Sequence, residues 1–172
     1  PEDMAGLKMR TMQSQVYVQM MGSLGATATP IAWPELVPAL RTGVVDGQEN
    51  AATTVLDGKL YEVQEYMSVN QHVYGFHLII VNDAVFQGLS PAHQEILREG
   101  ALVHRQVANS RKLQAEISAI DALREKGMKI HVTTSAEKDM FREKAQAAVI
   151  EFIASTAGKE TVDKVLAAAE DA

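Results

Sequence analysis

The chain has no cysteine, and that absence removes three classes of chemistry. Without a thiol there is no disulfide framework, no thiolate nucleophile and no Cys-based metal site. An excess of positive charge is missing too, since the formal net charge is -6 at pH 7. Binding to a phosphate backbone needs a basic patch, so the composition argues against a nucleic-acid partner. Long apolar runs are also lacking. An aliphatic stretch such as Leu78-Ile79-Ile80-Val81 is far short of the ~20 residues that span a bilayer. No basic segment followed by an apolar one opens the chain, so no secretory signal is expected within it. The five histidines carry no metal-ligand spacing. His72 and His77 fall on opposite faces of an extended segment, and His93 and His104 lie three turns apart on a helical one, whereas zinc ligands must converge at about 2 Å. Neither a Walker loop nor a G-x-G-x-x-G or G-x-S-x-G motif is present, so the residues offer no cofactor cradle and no nucleophile elbow.

What is there is a chain able to bury a core. It has 172 residues, 47% of them hydrophobic, which suits one ordinary domain or two small lobes. It begins with Pro rather than Met, as expected of a processed, truncated or partly observed product. Leu7-Lys8-Met9-Arg10-Thr11 alternates apolar and polar like a short strand. Residues 13–24 follow as a helix with Val16, Met20 and Leu24 on one face, stopped by Gly25. A second extended piece covers 26–31, and a second helix 33–42, where Pro34 suits a first turn and Pro38 should shorten or kink the helix. Val44-Val45 begins a third strand. This alternation predicts an α/β fold with a parallel sheet and crossover helices.

Residues 51–71 read as a short helix and a connection. Residues 72–82 read as a long strand, apolar at both parities and hence covered on both faces. Ser90-Pro91 opens a helix that runs to Lys126 before Gly127, about 35 residues or roughly 50 Å. A helix of that length either bends or bridges two lobes. A last strand at 128–132 and amphipathic helices at 136–156 and 159–169 complete the chain.

One block carries a functional signal. Gly43-Val44-Val45-Asp46-Gly47-Gln48-Glu49-Asn50 is an apolar step breaking into a cluster of amides and carboxylates. In open α/β sheets the carboxyl ends of the strands are where ligands sit. Arg10 supplies a planar fork of donors matched to a carboxylate, and Asn50 both donates and accepts. The residues alone leave two readings open: a small-anion site, or an ordinary Asp-Gly turn with Arg10 as a surface charge. Trp33, the only tryptophan, either lines such a site or anchors the core. Gln13 either reaches the ligand or caps the helix that starts there. Glu49 beside an anion site would repel its ligand, which favours a structural hydrogen-bonding role.

The order GLKMRT, then LGATATPIAWPELVPALRTGVVDGQEN, then KLYEVQEYMSVNQH resembles the DctP-type solute-binding proteins of TRAP transporters. The likeness is in register from Pro1 to about Asn82 and looser through the helices beyond. It implies a periplasmic-binding-protein-like fold: one lobe plus part of a second, with a long bridging helix. By the same resemblance, Arg10 clamps a ligand carboxylate, Asn50 contacts the ligand, and Trp33 and Gln13 line the pocket. No cofactor and no metal are implied. The partners would be a small organic acid, with a C4-dicarboxylate as the default, and the membrane permease subunits that receive it. The family carries a further α/β domain before the point where this chain begins. Residues 1–75 should therefore form most of one lobe, 76–115 should return a strand and helix towards the other, and 116–172 should pack back on the first. Such a chain should self-associate or domain-swap through residues 76–115. Two rivals are an enzyme acting on a carboxylate substrate and a non-binding oligomeric assembly module.

Overall fold

Three short parallel strands hold the amino-terminal half together. In the computed structural model, which describes residues 1–170, strand β1 (Lys8–Thr11) lies between β2 (Thr27–Pro30) and β3 (Gly47–Gln48). Arg10 stands opposite Thr29 on one side and Gln48 on the other. Parallel neighbours need crossovers, which helix α1 (Gln15–Ser23) and helix α2 (Leu36–Arg41) provide. A second parallel pair joins β4 (Tyr66–Val69) to β5 (Lys129–Val132). Helix α3 (Ala52–Asp57) precedes β4, α4 (Asp83–Gln87) and α5 (Pro91–Glu125) run between β4 and β5, and α6 (Ser135–Ala157) and α7 (Lys159–Glu170) follow. The parallel α/β order expected from the sequence is present.

The apolar residues sort into two clusters. Leu36, Leu40, Val45, Val55 and Leu60 pack with Ala119 and Leu123 from the end of α5. Met9, Met20, Met21 and Leu24 pack with Phe141, Ala145 and Val149 of α6. The amino-terminal sheet is thus held to helices from the far end of the chain.

Four local expectations need correction. The helix after β1 begins at Gln15 rather than residue 13, with Ser14 at its N-cap position. The helix expected over 33–42 is split into a 3-10 turn, Trp33–Glu35, and α2. The helix is shorter than expected, as Pro38 predicted, and Pro38 lies in the first turn of α2, where a missing N–H is tolerated. The third strand starts at Gly47, not Val44. Gly43 takes φ 70°, and the N–H groups of Val44 and Val45 turn back to the carbonyl of Ala39. Those donors serve a helix terminus and are lost to a ladder. Val45 still fills the core at 1% exposure, while Val44 is 55% exposed.

The fourth correction is the largest. Residues 72–82 form no strand; the strand of this region is β4, at Tyr66–Val69. The backbone leaves the extended region at Gln71, with φ 54°. Beyond it, among the described residues, no strand lies alongside to take up the N–H and C=O groups. Apolarity without a ladder partner does not make a strand. Phe76, Leu78 and Ile80 are left in solvent, Ile80 at 85%.

The long helix is as expected. Ser90 Oγ accepts the N–H of His93, Pro91 occupies the first turn, and the helix runs 35 residues before Gly127 at φ 92°. Its last turns pack on the core through Ala119 and Leu123, with Lys112 and Glu116 bonded to α3, and its first turns touch α4 through Gln94. Ile96, Leu102, Val103, Val107 and Leu113 are exposed.

Candidate ligand site

Arg10 is the centre of the arrangement. As the third residue of the central strand it is only 5% exposed, and burial lowers its pKa while the Glu49 carboxylate opposes that fall. A guanidinium remains charged under such conditions because its reference value is so high. Its Nε–H donates to the carbonyl of Ile31 at 2.8 Å. That single bond fixes the plane of the fork just past the end of β2. The two terminal nitrogens make no hydrogen bond to the described residues. They are the pair of donors that a carboxylate takes up bidentately.

Trp33 flanks the fork. The guanidinium carbon is 5.9 Å from the indole centroid, within range of a cation–π attraction. The indole is 44% exposed and so is not a core anchor. It rests against Gly58: a Cβ built there would stand 3.0 Å from Trp33 Cζ2 and 3.2 Å from Cη2. The absent side chain of Gly58 is what lets the ring lie in this position.

Asn50 sits two residues past the end of β3. Its Nδ2–H donates to Gln48 Oε1 at 2.6 Å, and Gln48 is the register partner of Arg10. Asn50 is thereby tied to the same strand edge with its own carbonyl oxygen left over. Gln13 is exposed and makes no side-chain hydrogen bond to the described residues. It does not cap α1, and the structure does not bring it into the cluster.

Next to Arg10, a second group gathers around Glu49. Glu49, whose side chain is largely buried, lies 3.6 Å from His72 Nε2. His72 Nδ1 is 2.6 Å from Asn70 Oδ1. An amide oxygen only accepts, so Nδ1 carries the proton, and Nε2 faces Glu49 as a cation only when the ring is doubly protonated. The Tyr17 hydroxyl is pushed up in pKa by burial and by the Glu49 charge. Glu49 makes no side-chain hydrogen bond to the described residues, so the hydrogen-bonding role expected for it is not seen; its carboxylate faces the Arg10 charge and the His72 ring. Tyr17 and His72 carried no signal in the sequence. They are distant along the chain, and no periodicity links them to Glu49. Among the described residues there is no cluster of His, Asp and Glu able to hold a metal ion.

The ensemble is a strand edge with one buried cation, two free donors, an amide and an exposed indole. Chemically it can bind and orient an anion with an attached carbon skeleton. The general family model of bacterial extracellular solute-binding proteins, family 7 (DctP), matches residues 1–156. The C4-dicarboxylate-binding periplasmic protein DctP of Rhodobacter capsulatus is 32% identical over 168 residues, 98% of this chain and 50% of the relative. The 2,3-diketo-L-gulonate-binding periplasmic protein YiaO of Escherichia coli is 34% identical over 144 residues, 82% of this chain and 42% of the relative. Among solved structures, the sugar acid binding protein DctPAm of Advenella mimigardefordensis, in complex with galactonate, superposes with a TM-score of 0.89 at 34% identity. That superposition covers 98% of this chain and 54% of the other. The chain spans about half the length of the curated relatives it matches.

Proposed function

Since the chain belongs to the DctP family of bacterial extracellular solute-binding proteins, we propose that it forms the acid-capturing part of a TRAP-type receptor. The family consists of periplasmic binding proteins of transporters rather than enzymes. Its members bind different acids, as the dicarboxylate, diketogulonate and galactonate proteins illustrate. The shared chemistry is a small organic acid. A C4-dicarboxylate is the first candidate and a sugar acid the second.

In this reading Arg10 takes the ligand carboxylate through its terminal nitrogens, and Asn50 supplies an amide beside it. Trp33 lies against the carbon skeleton. Residues 1–75 make most of this lobe, 76–115 lead towards a second, and 116–172 return. Closure of the two lobes about the ligand then presents the loaded receptor to its membrane permease. The observation that carries the proposal is Arg10: buried, oriented by one bond to Ile31, and with two donors unused among the described residues.

Calorimetry with succinate and galactonate on the intact receptor tests it. Arg10→Ala should weaken binding by about 2–5 kcal/mol, as for loss of one partner of a desolvated charge pair. Arg10→Lys should weaken it as well, because an ammonium cannot reproduce the fork. Parent-like binding by both variants would overturn the assignment.

A further inference from the structure

Helix α3 begins two residues after Asn50, and its own sequence gives it no cap. The N-cap residue is Ala51, which has no side-chain acceptor for the first free N–H groups of the helix. The acceptor comes from far along the chain. Glu116, on the long helix α5, receives the Ala52 N–H on Oε1 at 2.5 Å. Its Oε2 receives the Thr53 N–H at 3.3 Å and the Thr53 hydroxyl at 3.0 Å. Lys112, one turn earlier, donates to Thr53 Oγ1 at 3.2 Å and lies 3.6 Å from Glu116 Oε2. One carboxylate thus holds two of the orphan donors of α3 by charge-assisted bonds. Just behind that contact, Ala52 and Val55 pack with Ala119 and Leu123, so the grip has a rigid backing.

We infer that Glu116 is a positioning residue for Asn50: it fixes the start of α3 to the long helix and so sets where the Asn50 amide stands relative to Arg10. This rests on the proposed role of Asn50 in acid binding. A carboxylate that merely capped α3 would affect stability alone. One that positions Asn50 couples any shift of α5 to the strand edge two residues away.

A double-mutant cycle separates the two, using galactonate and succinate as probes and the intact receptor. Glu116→Ala should lower affinity about tenfold, a size expected for residues coupled through a backbone shift. In an Asn50→Ala background the same change should leave affinity unaltered, while the melting temperature falls equally in both backgrounds. Glu116→Gln, which keeps one acceptor, should retain the fold and lose part of the affinity. In the unliganded protein the Asn50 side-chain amide resonances should move in both Glu116 variants. Unmoved resonances, or an affinity loss that persists without Asn50, would overturn the inference. Failure of the underlying acid-binding role would appear separately, as parent-like binding by Arg10→Ala.

Discussion

Two positions, Thr11 in β1 and Gly58 at the end of α3, carry consequences that can be measured one at a time. Thr11 follows Arg10 and is fully buried, and its hydroxyl has no hydrogen-bond partner among the described residues. A desolvated, unpartnered polar atom costs about 1–3 kcal/mol. Thr11→Val keeps the shape and removes that cost, so thermal unfolding should show a gain of about 1 kcal/mol or more; a loss would mean that the hydroxyl is satisfied by water. Gly58 is the reverse case, where adding an atom does harm. A Cβ there meets the Trp33 ring and also stands 3.0 Å from the Thr54 carbonyl oxygen. Gly58→Ala should push the indole away from Arg10, seen as shifted tryptophan emission before any ligand is added. An unchanged spectrum would show that the ring does not depend on this gap. At this scale Arg10 stood out by its residue type and by resemblance, and its burial at 5% exposure is what sets aside the surface-charge reading. Trp33 was ambiguous until its exposure was known, and Tyr17 and His72 were invisible because only the fold assembles them.

Elements were legible where local chemistry decides them and illegible where a neighbour does. The long helix could be read from Ser90, Pro91 and Gly127, residues that act on their own backbone. The supposed strand at 72–82 could not, because a strand is defined by what lies beside it. Helix α6 belongs to the first kind. The Thr134 hydroxyl accepts the Glu137 N–H at 3.3 Å, and the Glu137 carboxylate accepts the Thr134 N–H at 2.6 Å, a capping box. The Thr134 N–H, then its hydroxyl, then His131 hold the Glu137 pKa below its ordinary 4.5. A carboxyl whose pKa falls on folding stabilises fully above its unfolded value, and that contribution fades as pH drops through the folded one. Melting temperature followed from pH 6 to pH 3 should therefore fall less steeply in Glu137→Gln than in the parent. Equal slopes would show that the box contributes nothing through its charge.

For the molecule as a whole, the prominent property is uncovered apolar surface. Phe76, Leu78, Ile80, Ile96 and Val103 all lie in solvent, and they belong to the two consecutive segments for which a second lobe is proposed. Contiguous patches of this kind drive association, and exchange of an element between identical chains covers them at low cost. The 172-residue chain should therefore be a dimer or larger by light scattering at micromolar concentration. Variants with Leu78 and Ile80 changed to Ser should shift it towards monomer. A monodisperse monomer in the parent would count against both the association and the two-lobe division. The parallel sheet was legible at this scale from the alternation of elements; the helices that cover it from the far end of the chain were not.

That distance along the chain also sets an order of events. Strands β1 and β2 pair across about 20 residues, while Tyr66 of β4 and Lys129 of β5 are 63 apart. Closing the longer loop costs more entropy before any contact repays it. The second ladder is therefore expected to form later than the first, and α6, which packs on Met9 and Met20, lies beyond α5 in the chain. During synthesis the Arg10 strand edge emerges long before α6, which packs on Met9, Met20 and Met21. For that interval the methionines of α1 are the part of the nascent chain most in need of shelter.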